Sequence, residues 1–153
     1  MTDKKALKNH SVEISDATAW EVKTPELISN VPAPRTEAYQ TWIATNTFEQ
    51  KQIGLHGAYV RILNGNISST TSRSLIEALK GYIGDDIRIT INQGLLLKCI
   101  PAANLPYVHQ VLEAHGLAAP GANSIANITA CPGTDTCNLA ISDSTNITSK
   151  LEE

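Results

Sequence analysis

Two of the three cysteines, Cys131 and Cys137, stand with five residues between them in Thr129-Ala130-Cys131-Pro132-Gly133-Thr134-Asp135-Thr136-Cys137-Asn138-Leu139-Ala140. The Pro-Gly turn they bracket can present two thiolates together. The spacing is too wide for the Cys-x-x-Cys of a redox centre, and the paired Cys or His that would complete a zinc site is missing. An iron–sulfur cluster normally takes four thiolates, so these two would be half a site. The plain alternative is two unligated thiols beside a turn. Cys99 lies in an apolar, strand-like run and reads as a small core residue. His10, His56, His109 and His115 share no metal-ligand spacing and read as surface or packing residues.

The elements that must position the pair follow from periodicity. Residues 58–63 alternate, with Val60 and Ile62 on one face and Tyr59 and Arg61 on the other, which predicts a strand. Ser69 or Thr70 can cap a helix on which Leu75, Ile76, Leu79, Tyr82 and Ile83 fall at helical spacing and which Gly84 ends. Residues 86–91 and 95–100 flank Asn92-Gln93-Gly94 and read as a hairpin. Asn104 caps a second helix with Pro106 in its first turn and Leu105, Val108, Val111 and Leu112 as its stripe, and Gly116 stops it. Residues 124–130 read as a last strand delivering the chain to Cys131. A helix beginning near Asn138 would follow.

The order strand, helix, strand, strand, helix, strand is that of an α+β, ferredoxin-like βαββαβ sandwich: a four-stranded antiparallel sheet with two helices on one face. The helices are expected to cover Ile87, Ile89 and Ile91. The open face would then carry Arg88 and Thr90, with Lys98 or Cys99 depending on hairpin register. An uncovered sheet face invites a partner, a second copy of the chain included. Residues 1–40 hold Pro25, Pro32 and Pro34 among scattered charges and read as an extended arm or linker, with Trp20 and Trp42 as its anchoring aromatics.

Composition bounds the rest. The net charge of −3 gives no sign of a nucleic-acid or polybasic membrane surface. No apolar run approaches the ~20 residues of a membrane span, and no apolar signal-peptide core follows the first residues. An odd number of cysteines suits reduced thiols or metal ligands better than a disulfide framework, and the expected compartment is the cytoplasm.

Thr129 to Ile141 resembles the first cysteine motif of the sirohaem-dependent nitrite and sulfite reductases, which opens their 4Fe-4S region. Thr45-Asn46 with Gln50 and Gln52, Ile87-Arg88-Ile89-Thr90-Ile91-Asn92-Gln93-Gly94, and Gly116-Leu117 resemble the second ferredoxin-like half-domain of the same family, where Asn commonly stands in place of Gly94. Beyond the arm at 1–40, the resemblance implies a half-domain at 41–130 and the start of the 4Fe-4S/sirohaem domain at 131–153. It implies that Cys131 and Cys137 ligate a 4Fe-4S cluster in the complete protein, with loop N–H groups directed at its sulfurs. Arg88, Lys98, Asn92 and Gln93 would belong to the sirohaem environment, Arg88 as a carboxylate partner. The implied reaction is the multi-electron reduction of nitrite to ammonia or sulfite to sulfide. The implied partners are the missing half-domain, the cluster domain and an electron donor (a ferredoxin, a flavoprotein or an NAD(P)H partner). The chain alone is expected to be inactive and to bind neither cofactor. Two other readings are a noncatalytic binding module that uses its open sheet face, and a metal site shared by Cys131 and Cys137 of two chains.

Overall fold

The computed structural model describes residues 25–29 and 31–152, so the readings of His10 and Trp20 lie outside the described residues. Helix α1 spans Glu37–Asn46. Thr36 caps it, its hydroxyl accepting the Tyr39 N–H at 3.2 Å, and Glu37 places a negative charge at the positive end of the helix dipole. Tyr39, Trp42 and Asn46 recur at helical spacing and are all buried. The expectation of an extended arm as far as residue 40 is therefore corrected, because the buried stripe overrides the prolines just upstream.

The chain turns directly from α1 into strand β1 (Thr47–Glu49), which pairs antiparallel with β2 (Leu55–Val60). Helix α2 (Ser69–Leu79), strand β3 (Ile87–Ile89), strand β4 (Leu95–Pro101) and helix α3 (Leu105–Ala114) follow. The sheet order is β1-β2-β4-β3, antiparallel throughout. This is the expected α+β architecture with one change of membership. Residues 124–130 form turns and coil rather than a strand, and β1 occupies the edge beside β2. A short local hairpin closes that pairing with less loop entropy than a strand returning from beyond α3.

One irregularity sets the face of the central strands. Ala58 pairs with Leu97 but His56 with Ile100, so β4 carries an extra residue at Cys99, where φ is 55°. Side chains alternate along a strand, and Leu97 and Ile100 would otherwise point to opposite faces. The bulge turns both inward, where each is fully buried. Gln50 Oε1 accepts the Cys99 N–H at 2.6 Å, satisfying the donor that the bulge removes from the ladder. Cys99 is buried, as expected of a small interior residue, although its left-handed backbone was not foreseen.

The inner face meets α1, α2 and α3. Ala58, Val60, Leu97 and Ile100 pack with Leu75 and Leu79 of α2, Val108, Val111 and Leu112 of α3, and Tyr39 and Trp42 of α1 in one cluster. Helix α2 starts one residue early, capped by the Ser68 hydroxyl, and ends at Leu79, so Tyr82 and Ile83 lie beyond it. Coverage fails at the β3 edge. Ile87 is half-buried, but Ile89 and Ile91 are 85% and 95% exposed, so the expectation that helices cover all three holds only for the first. Helix α2 ends at Leu79, and the hairpin tip carrying Ile89 and Ile91 stays exposed.

Two buried asparagines tie outlying chain to this core. Asn46 donates to the carbonyls of Tyr59 (3.1 Å) and Ala119 (3.0 Å) and accepts the Ala122 N–H at 3.2 Å. Asn104 makes no side-chain cap, contrary to its sequence reading. It donates to the carbonyls of Glu26 and Tyr82, both at 2.8 Å, and accepts the Ile28 N–H at 2.9 Å, strapping residues 26–28 across the domain. A fully buried amide must satisfy its own polar atoms first, and three backbone groups lie within reach.

Candidate functional site

The outer face of the sheet is not covered by α1, α2 or α3. Tyr59, Leu96 and Arg88 lie side by side across β2, β4 and β3. Phe48 of β1 closes the row, its ring lying over bare Gly57 and 5.4 Å from Tyr59 between centroids. Any side chain at position 57 would collide with that ring. Next to Arg88, the Asp86 carboxylate accepts from Lys98 Nζ at 2.5 Å and from Arg88 Nε at 3.2 Å. The hydrogen bond from Lys98, opposed by partial desolvation and aided by Arg88, holds the Asp86 carboxyl below its ordinary value. Both cations foreseen on this face are therefore brought together, sharing one carboxylate. Lys98 is the more enclosed and Arg88 the more exposed.

The C-terminal segment is held at the end of the same sheet by side chains. Arg61 is nearly enclosed and pairs with Glu152 at 2.9 Å. It also donates to the carbonyls of Pro120 (2.6 Å) and Ala126. Asn92 Nδ2 donates to Asn123 Oδ1 at 3.0 Å, and Gln93 bonds both backbone groups of Ala130. Asn92 and Gln93 thus meet the chain itself, immediately ahead of Cys131. Sequence reading placed Arg61 on this face and gave it no role. Its signal was a long cation beside an uncovered face, which only the return of Glu152 completes.

Cys131 and Cys137 are both free and exposed. A single 3-10 turn, Gly133–Asp135, lies between them. Gly133 has φ 58°, and a Cβ there would collide with Ser144 Oγ, so the loop demands glycine at this point. Ser144 Oγ donates to the Cys131 carbonyl at 2.8 Å. The N–H groups of Thr134, Asp135 and Cys137 bond to carbonyls of Ser142, Pro132 and Gly133, so these three serve the loop itself. No helix starts at Asn138; α4 spans Ser144–Leu151 behind an Asp143 cap. Leu139 and Ile141, the apolar run expected to open that helix, are exposed because α4 meets the rest of the fold without them. Among the described residues no group of three or more His, Cys, Asp or Glu is placed to hold a metal ion.

Residues 48–115 match the family model described as the nitrite/sulfite reductase ferredoxin-like half domain. Through that segment the chain is similar to this family. No curated protein matches the chain. The matched half-domain runs from β1 to the end of α3, so it contains the Asp86–Arg88–Lys98 cluster and the Asn92-Gln93 hairpin tip and ends before Cys131. Being a half-domain, it implies further domains of a reductase. No described helix is long and apolar enough to cross a membrane.

The histidines of the half-domain lie against neighbouring side chains and backbone. His109 sits on α3 with its ring 5.0 Å from both Tyr39 and Trp42, edge-on to each. Burial pushes its pKa down, and Glu113 offsets this only in part. His115 Nδ1 donates to the Val111 carbonyl at 2.7 Å while Nε2 meets the Ser74 hydroxyl at 2.9 Å, joining α3 to α2. His56 is half-buried on β2.

Proposed function

We propose that this chain is a portion of a sirohaem- and 4Fe-4S-dependent nitrite or sulfite reductase, with Cys131 and Cys137 as two of the four cluster ligands. The observation that carries the reading is the attachment of a loop bearing two exposed, free thiols to the hairpin of a nitrite/sulfite reductase half-domain. Soft thiolates suit cluster iron, and their exposure leaves them open to ligation from the side of a missing domain. When bound, the two cofactors supply electron transfer and the centre at which the anion is reduced.

The chain's own contribution is positional and electrostatic. Asp86 orients Lys98 and Arg88 on the open face, and the exposed part of the Arg88 guanidinium remains able to pair with a carboxylate. Asn92 and Gln93 act on the segment that leads to the cysteines. With two thiolates of four, the chain by itself lacks the complete ligand set and is inactive. Its free thiols suit a reducing compartment such as the cytoplasm.

Replacing Cys131 or Cys137 by Ser in the complete reductase tests the assignment, because a hydroxyl is a far poorer ligand for cluster iron than a thiolate. Iron and acid-labile sulfide should fall to background in either variant. A normally populated cluster in the Cys131→Ser reductase would remove the assignment. Anaerobic reconstitution of the 153-residue chain, followed by its native mass, distinguishes the shared-site reading. A dimer carrying one 4Fe-4S cluster would replace our proposal with that one.

A further inference from the structure

Gln93 stands at the tip of the β3–β4 hairpin with φ 57°, a left-handed conformation that few residues other than Gly and Asn adopt readily. Its Nε2 donates to the Ala130 carbonyl at 2.7 Å, and its Oε1 accepts the Ala130 N–H at 3.1 Å. A carboxamide that meets the N–H and C=O of one residue imitates a strand pairing, and the two bonds together fix the position and the rotation of that residue. The base of the side chain is braced as well. Gly65 passes so close that a Cβ there would stand 3.1 Å from the Gln93 Cβ, leaving little room for the Gln93 stem to shift. Asn92 adds its bond to Asn123 further back on the same segment. Ala130 is joined to Cys131 by a planar peptide, so its orientation directs the backbone from which the Cys131 thiol projects.

We propose that Gln93 is a positioning residue for the first cluster ligand, holding Cys131 in register with the half-domain through the Ala130 peptide. The proposal rests on the reading of Cys131 as a ligand. It goes beyond that reading by making the half-domain hairpin the part that aims the thiol. Groups that orient a ligand without touching the metal commonly alter metal retention by 10–100-fold when removed.

Two variants separate positioning from general stabilisation. Gln93→Asn tolerates the positive φ but falls one methylene short of Ala130. In the 153-residue chain it should speed amide exchange at Ala130 roughly tenfold, as expected for loss of a hydrogen bond. It should also change the relative alkylation rates of Cys131 and Cys137, with the thermal midpoint unmoved. Gln93→Glu keeps an acceptor for the N–H but turns a carboxylate on the Ala130 carbonyl near neutrality. Acidification to about pH 4 returns an O–H donor, so protection at Ala130 should recover there. In the complete reductase, Gln93→Asn should release iron to a chelator about 10-fold faster than wild type.

Unchanged exchange and alkylation in Gln93→Asn would overturn the proposal. So would a lowered midpoint in Gln93→Asn together with no acid recovery in Gln93→Glu, since Gln93 would then act only on global stability. Retention of the cluster by the Cys131→Ser reductase would overturn the ligand reading on which the role depends, while the exchange data would still report whether the clasp exists.

Discussion

The half-domain and the segment that carries the cysteines are held by different forces. Every member of the buried apolar cluster lies between Tyr39 and Leu117. From residue 123 to residue 152 only Gly133 and Thr148 are buried, while Ile125, Leu139 and Ile141 are almost fully exposed. The later segment is attached by polar side chains: Arg61 to Glu152 and Ala126, Gln93 to Ala130, and Asn64 to Thr145 and Ser149. Apolar burial is cumulative and excludes water, whereas each hydrogen bond competes with water and nets only about 0.5–1.5 kcal/mol. The half-domain therefore supplies a rigid frame, and the cysteine segment is registered on it by contacts that can open locally. That division suits the ligand role proposed for the loop.

The comparison breaks most visibly at Trp42, which is fully buried against His109 and Tyr39. Trp42→Ala should cost about 3–5 kcal/mol in chemical denaturation, the usual range for an aromatic removed from a core. A loss below about 0.5 kcal/mol would place α1 outside the cooperative unit. Asn46→Ala should cost less, about 1–3 kcal/mol, because it strands the Ala122 N–H and two carbonyls without their partner. Its further effect, faster amide exchange in residues 119–122, would sharpen the line between frame and attachment.

A smaller effect comes from His109. Its pKa is depressed in the folded state, so between the folded value and about 6.5 the unfolded chain binds the extra proton. Stability should be full above about pH 6.5 and decline as the pH falls below it. His109→Phe should flatten that slope in denaturation curves compared between about pH 7.5 and pH 5.5. The smallest effect is expected at the cysteines. Cys131→Ser and Cys137→Ser should each leave the unfolding free energy of the 153-residue chain within about 0.5 kcal/mol of wild type, since exposed side chains contribute little. A larger loss would show that the segment shares the stability of the half-domain.

The sequence by itself determined the elements whose patterns are local. The alternation around Val60, the Asn92-Gln93-Gly94 hairpin and the Val108–Leu112 stripe each encode a period that one segment can satisfy alone, and all three stand in the fold, the first as β2 at Leu55–Val60, three residues ahead of the expected 58–63. It also made the Cys131–Cys137 loop conspicuous as chemistry. Three features depended on contacts that no single segment contains. The edge beside β2 went to β1 because the hairpin it forms is adjacent in the chain, a competition invisible from residues 124–130. Asn104 became a strap for residues 26–28 instead of a cap because full burial made distant backbone groups its necessary partners. The inward turn of Ile100 required a bulge at Cys99, whose N–H is then satisfied by the distant Gln50 side chain. Periodicity is written along the chain, but which partner satisfies a buried polar group is decided only when the chain has closed around it.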